Sequence, residues 1–229
     1  MKKYCIAGTT NQLIINKLKA YGYEQINVEK STDVSQPIAY HADVLYLKTS
    51  DREIYISECQ KNNAEFIRSI GYDVKTVRLM PGYKTESRLN IVVTDSLIMC
   101  NPKTCMDIAQ ISEKKMTVYT NQGYTKCSTA VIGDNNFITE DENIYKVLTK
   151  AEKNCLLIKK GYVRLDGYDC GFIGGASVYI KEKNTVLFTG NIQKHPDYIK
   201  IKDFCNNQHI LIDYIDNDDL YDIGGIVLL

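Results

Sequence analysis

The chain has 229 residues, 44% hydrophobic and 24% charged, which is ordinary for a folded globular protein and long enough to bury a substantial core. Its 28 basic and 28 acidic residues cancel, so no overall field draws it to nucleic acid or to an anionic membrane, and general binding to either is disfavoured. No apolar run approaches the roughly 20 residues that a membrane span needs. The opening Lys2-Lys3-Tyr4-Cys5-Ile6-Ala7-Gly8 runs into polar Thr9-Thr10-Asn11-Gln12 in place of a secretory h-region, so a cytoplasmic location is expected.

In chain order, Tyr4-Cys5-Ile6-Ala7 reads as a first strand. A helix-like stretch from Ile14 to Gly22-Tyr23 follows, its glycine supplying the left-handed conformation that ends a helix, and it leads into β-rich Gln25-Ile26-Asn27-Val28. Asp43-Val44-Leu45-Tyr46-Leu47 is a strand-like run that turns at Asp51-Arg52 into Glu53-Ile54-Tyr55-Ile56. The pattern then repeats. Phe66 to Gly71-Tyr72 precedes Val74-Lys75-Thr76-Val77, and Asn90-Ile91-Val92-Val93-Thr94 turns at Asp95-Ser96 into Leu97-Ile98-Met99-Cys100. Ala130-Val131-Ile132-Gly133 turns at Asp134-Asn135 into Asn136-Phe137-Ile138-Thr139, after which Glu140-Asp141-Glu142 suits a helix N-terminus. Leu156 to Gly161-Tyr162 reads as the next helix end, leading into Val163-Arg164-Leu165. Ser177-Val178-Tyr179-Ile180 turns at Lys183-Asn184 into Thr185-Val186-Leu187-Phe188, and the last run is Val227-Leu228-Leu229.

Val44, Ile91, Val131, Val178 and Leu228 are equivalent positions, 47, 40, 47 and 50 residues apart. Five near-equal units without a Gly/Ser/Pro linker predict one α/β domain over 1–229, a five-bladed α/β propeller with repeats near 8–58, 59–104, 105–149, 150–200 and 201–229. The last hairpin lacks a return strand, and the N-terminal strand, within 2–7, is expected to supply it. That pairing removes two exposed sheet edges.

The eight cysteines, Cys5, Cys59, Cys100, Cys105, Cys127, Cys155, Cys170 and Cys205, are dispersed, which favours reduced thiols. Cys100 and Cys105 lack a second ligand pair, so no metal is expected. Asp213, Asp216, Asp218, Asp219 and Asp222 read as a solvated acidic loop. His195 and His209 read as structural or surface residues.

The repeats, with stretches such as Gln122-Gly123-Tyr124-Thr125-Lys126-Cys127-Ser128-Thr129-Ala130-Val131-Ile132-Gly133-Asp134-Asn135-Asn136, resemble the pentein superfamily over the whole chain. That resemblance implies the fold of the guanidino-group-modifying enzymes and of the ribosome anti-association factor. For catalysis it asks for a Cys after a Gly-rich turn in the last repeat, a late His two residues before an acid, and an acid before Gly-Gly. The last repeat reads Asp222-Ile223-Gly224-Gly225-Ile226-Val227 without a Cys, His41-Ala42-Asp43 lies in the first repeat, and Ile173 precedes Gly174-Gly175.

In a closed ring the residues opening each run crowd one axis. These are His41, Arg88, Ser128, Gly175 and Gly225, with Asp43, Asn90, Ala130, Ser177 and Val227 two positions on. His41, Asp43, Arg88, Asn90, Ser128 and Ser177 are therefore the candidate ligand-binding residues. Cys127, Cys170, His41, Asp43 and Asp169 are the candidate catalytic ones, with no cofactor expected. Each has a plainer reading: His41 and Asp43 as a satisfied polar pair, Arg88 as an ion-pair partner of Glu86, and Cys127 and Cys170 as inert buried thiols. The function expected first is binding of a small ligand on the axis or of a protein or ribosomal partner. The alternative is a Cys-dependent hydrolase or transferase acting on a guanidine or amidine carbon–nitrogen bond.

Overall fold

The structure, a computed structural model, describes residues 2–112, 114–216 and 219–229; Asp218 of the acidic loop lies outside them. Its strands form five three-stranded sheets, each an antiparallel pair whose central strand leads through a helix to a third strand parallel to it; in four of them the pair is a hairpin, and in the fifth it joins the two ends of the chain. The first sheet takes β1 (Lys3–Ala7), α1 (Gln12–Ala20) and β2 (Tyr23–Asn27). Next come a short helix α2 (Ala42–Leu45) and the sheet of β3 (Tyr46–Lys48), β4 (Glu53–Ser57), α3 (Lys61–Ser69) and β5 (Asp73–Val77). The third unit has α4 (Tyr83–Glu86), β6 (Val92–Val93), β7 (Leu97–Cys100), α5 (Ala109–Ser112) and β8 (Met116–Tyr119). The fourth has β9 (Thr129–Val131), β10 (Asn136–Thr139), α6 (Glu142–Lys150) and β11 (Asn154–Leu157). The fifth has β12 (Ser177–Ile180), β13 (Thr185–Phe188), α7 (Tyr198–Asn207) and β14 (Leu211–Tyr214). The last strand, β15 (Ile226–Leu228), pairs antiparallel with β1, Cys5 opposite Leu228, so the two ends of the chain share one sheet.

The central strands are apolar runs covered on both faces. Leu97, Ile98, Met99 and Cys100 of β7 are fully buried, as are Phe137 and Ile138 of β10, the pattern of strands sandwiched between other layers. The helices bury one stripe each, Ile14 and Leu18 in α1 and Ile144 and Leu148 in α6. Asn11 caps α1 by accepting from Leu13 N, and Asp141 caps α6 by accepting from Asn143 N and Ile144 N. Gly22 and Gly71 take positive φ of 91° and 98° just past α1 and α3, the stop that their sequence context predicts.

Three expectations are corrected. The stretch from Leu156 to Gly161 is not a helix end: its first two residues, Leu156 and Leu157, are in strand β11, and the helix of that unit lies earlier, at α6. The reason is local. The residue that turns left-handed after α6 is Glu152, at φ 57°, so the stop carries no glycine signature. Val163-Arg164-Leu165 forms no strand, only a bridge from Arg164 to Tyr221. Finally, the first run begins as helix, not strand. Ala42–Leu45 form one turn, with Val44 N and Leu45 N bonded to the His41 carbonyl, before β3 starts at Tyr46.

Candidate functional site at the meeting of the five repeats

One side-chain amide and a set of backbone bonds join all five units. Asp43 N donates to Gly224 O at 2.8 Å, and Asn90 Nδ2 donates to Asp43 O at 2.9 Å. Cys127 N donates to Asn90 Oδ1 at 3.1 Å, Gly175 N donates to Cys127 O at 3.1 Å, and Gly225 N donates to Gly175 O at 2.9 Å. The circuit thus passes through segments from all five of the units expected from the sequence and returns to the Gly224-Gly225 turn. Glycine is required along it. A Cβ on Gly224, where φ is 77°, would stand 2.2 Å from His41 Cα, and one on Gly175 would stand 1.9 Å from Asp222 Oδ1.

Inside this circuit lie His41, Asp43, Cys127 and Asp222, all buried. His41 caps the N-terminus of α2 and Asp43 sits in its first turn, so the turn of helix, not a shared strand face, brings them together. His41 Nδ1 lies 3.9 Å from Asp43 Oδ1 and 3.9 Å from Asp222 Oδ1. Ligand atoms of His41, Asp43 and Cys127 all lie within 4.8 Å of one another. Asn90 Nδ2 also donates to Cys127 Sγ at 2.9 Å. Asp222 accepts from Phe172 N and Gly224 N, both at 2.9 Å. Among the described residues, His41 Nδ1 and both carboxylate oxygens of Asp43 have no hydrogen-bond partner, and neither do Ser128 Oγ and Glu140 Oε1. In water-free surroundings such atoms are costly unless something joins them.

Burial sets the electrostatics. It pushes the Asp222 carboxyl up to about 6, with the negative charge of Asp43 adding to the rise and His41 opposing it. It pushes Glu140, whose Oε2 accepts from Ile173 N at 3.1 Å, up to about 7. The Cys127 thiol is raised well above its ordinary value, first by burial and then by the negative Asp43 and Asp222. Among the described residues, no lysine or arginine forms an ion pair with Asp43 or Asp222. A cleft of about 600 Å³ opens onto His41 and Asp222 and is lined further by Thr9, Thr10, Tyr40, Arg164 and Tyr221.

The structure therefore brings His41, Asp43, Asn90 and Cys127 together. Arg88 does not join them: its Nη1 donates to the Arg78 carbonyl at 3.1 Å. Nor does it pair with Glu86, which is buried against Ser35 and Tyr124. Asp169 is exposed and Cys170 half-buried, and among the described residues neither belongs to the cluster. Ser128 is buried beside Cys127 in sequence, and Ser177 is buried on β12 opposite Phe188. The acidic loop divides. Asp213 pairs with Lys17 and Asp219 with Lys194 near the surface, whereas Asp222 is buried in the site. Its place two residues before Gly224-Gly225 was the available signal, hidden by four other acids nearby. Glu140 was read only as helix-start charge. His195 is a structural residue, its Nδ1 accepting from Asp197 N at 3.1 Å. All eight cysteines are free thiols. No helix of the described residues is long and apolar enough to cross a membrane.

Five sheets of this connectivity are the fold of the pentein superfamily, and solved structures of that class match over nearly the whole chain. One is a dimethylarginine dimethylaminohydrolase from Pseudomonas aeruginosa, a cysteine-to-serine mutant complexed with citrulline, at 12% identity, 100% coverage of both chains and a TM-score of 0.59. A second is an amidinotransferase of the saxitoxin biosynthetic pathway from Microseira wollei, at 8% identity, 94% and 89% coverage and a TM-score of 0.59. A third is the C. jejuni agmatine deiminase, at 13% identity, 94% and 78% coverage and a TM-score of 0.51. More narrowly, residues 5–227 match the model of a family of unknown function, DUF6873, and the chain belongs to that family. Comparison of the sequence with curated proteins finds no match.

Proposed function

We propose that the five sheets form a closed ring and that its centre binds the cationic head of a guanidine or amidine, which enters through the cleft over His41 and Asp222. The carrying observation is the pair of buried carboxylates, Asp43 and Asp222, flanking His41 with no lysine or arginine bound to them among the described residues. Two acids with open lone pairs match a planar cation that offers several N–H donors in fixed directions. A neutral polar ligand would leave their charge uncompensated. The circuit of hydrogen bonds through all five repeats supports the ring, and the similarity to solved guanidino-group enzymes supports the ligand class. The free state of all eight cysteines supports a reducing, cytoplasmic setting.

A second reading is favoured by the closeness of Cys127 to His41 and Asp43. In it, the bound cation lowers the thiol pKa, the Cys127 thiolate forms a carbon–sulfur bond at the central guanidine carbon, and an amine leaves with a proton. Water then cleaves that bond, restoring the thiol and releasing a urea. Binding without chemistry is the simpler state of the site, because the thiol is held neutral until a cation arrives.

Isothermal titration with a series of alkylguanidines and alkylamidines, followed by analysis for released amine, tests both readings. Binding that is lost in Asp222→Asn supports the site, and released amine that is lost in Cys127→Ser supports the chemistry. The absence of heat with every cation tested overturns the binding reading.

A further inference from the structure

We infer that His41, Asp43 and Cys127, with Asp222 as a fourth ligand, form a site for a thiophilic divalent metal ion of the zinc type. This goes beyond the guanidine reading and does not depend on it. Each of the three repeats involved supplies too little on its own. His41 and Asp43 come from the first unit, Cys127 from the loop before β9, and Asp222 from the turn before β15. Sequence spacing alone excluded zinc at Cys100 and Cys105, and it has no means of detecting a set assembled this way.

Three observations converge. The ligand atoms of His41, Asp43 and Cys127 lie within 4.8 Å of one another, and His41 Nδ1 is 3.9 Å from an oxygen of each aspartate. Tetrahedral zinc, with bonds of about 2.0–2.3 Å, needs ligand atoms about 3.3–3.8 Å apart. The atoms of His41, Asp43 and Cys127, all within 4.8 Å of one another, therefore close onto a metal by a contraction of up to about 1–1.5 Å, and Asp222 Oδ1, 3.9 Å from His41 Nδ1, is a further carboxylate oxygen at hand. Second, the atoms that would face the metal are those without partners: His41 Nδ1 and both oxygens of Asp43, on side chains 6% and 2% exposed. Third, the groups behind them are already fixed. Asn90 Nδ2 holds Cys127 Sγ, and Phe172 N and Gly224 N hold Asp222, the outer contacts that orient ligands.

The donor types choose the metal. One sulfur, one imidazole nitrogen and carboxylate oxygens suit zinc or cobalt, whereas magnesium and calcium require oxygen alone. Binding exchanges the thiol proton for a metal–sulfur bond, and the proton passes to solvent. Affinity therefore rises with pH. Two carboxylates and a thiolate against a divalent cation leave one net negative charge, a smaller burden than two bare buried carboxylates.

The test is Co²⁺ titration of the chelator-stripped full chain, followed by zinc K-edge absorption on the zinc-loaded wild type. The expected result is one Co²⁺ per chain with a thiolate charge-transfer band, a Tm raised by roughly several degrees, and a zinc shell of one sulfur with nitrogen and oxygen. The band is lost in Cys127→Ser and kept in Cys105→Ser. A zinc shell with two sulfurs, a band lost in Cys105→Ser but kept in Cys127→Ser, or no band and no Tm change overturns the proposal. The absorption measurement uses only wild-type protein, so a variant that fails to fold leaves the answer intact. No organic cation is present, so failure here leaves the guanidine reading standing.

Discussion

The Asn90 amide reaches Cys127 in two ways: its Nδ2 donates to the sulfur at 2.9 Å, and its Oδ1 accepts from the Cys127 backbone N–H at 3.1 Å. Asn90 also accepts from Lys126 N and donates to Asp43 O, so one buried side chain joins the first, second and third repeats. Asn90→Ala should therefore destabilise the protein by about 2–4 kcal/mol, because two backbone N–H groups lose their acceptor. Urea midpoints of wild type and variant check this. A change below about 0.5 kcal/mol would show that water replaces the amide.

Gly175 is packed against Asp222, and Gly175→Ala sets a methyl where Asp222 Oδ1 stands, 1.9 Å away. Asp222 is held by Phe172 N and Gly224 N, so it moves only by giving up those bonds. A loss of about 2–4 kcal/mol is expected, together with loss of guanidine binding. Thermal melts and titration read the two effects separately.

The thiols should differ in reactivity. Burial and two neighbouring carboxylates raise Cys127, whereas a hydrogen bond from Cys100 lowers half-buried Cys105. Iodoacetamide near neutral pH should label Cys105 ahead of Cys127, as read by peptide mass spectrometry. Adding a guanidine that binds should speed labelling at Cys127 if the ligand leaves the sulfur reachable. Fast labelling of Cys127 without ligand contradicts its buried position.

Glu140 titrates inside the fold at about 7, above the value of 4.5 for a free carboxyl. A raised folded pKa means that the native state binds the proton more tightly. This contribution is fully present below about pH 4.5 and is lost as pH rises through about 7. Asp222, raised from 3.8 to about 6, acts with the same sign over a lower window. Glu140→Gln keeps an acceptor for Ile173 N and removes the charge. It should flatten the fall in Tm across this window and raise stability at about pH 8 by up to about 3 kcal/mol. An unchanged pH profile would place the decline elsewhere.

The hairpins were legible because their signals are local. In Leu97–Cys100, Asn136–Thr139 and Thr185–Phe188 an apolar run follows a turn residue, and neighbouring residues suffice to specify both. The pairing of Tyr4-Cys5-Ile6-Ala7 with the C-terminal run was also legible, because an odd strand at one end matched a missing one at the other. His41, Asp43, Asn90 and Cys127 were found through the expected repeat register, and the structure brings these four residues together. Tertiary structure decided the rest. Arg88 shares that register, but its long side chain turns to the Arg78 carbonyl, a choice among rotamers that spacing does not contain. Asp222 is chemically the same as Asp219, and only the close approach of Gly175 and the N–H groups of Phe172 and Gly224 make one a buried site residue and the other a surface ion pair. Sequence alone determined the hairpins and the pairing of the chain's two end strands. Where each polar group finds its partner depended on backbone that arrives from other repeats, because desolvation and hydrogen bonding act across space and leave no mark on local pattern.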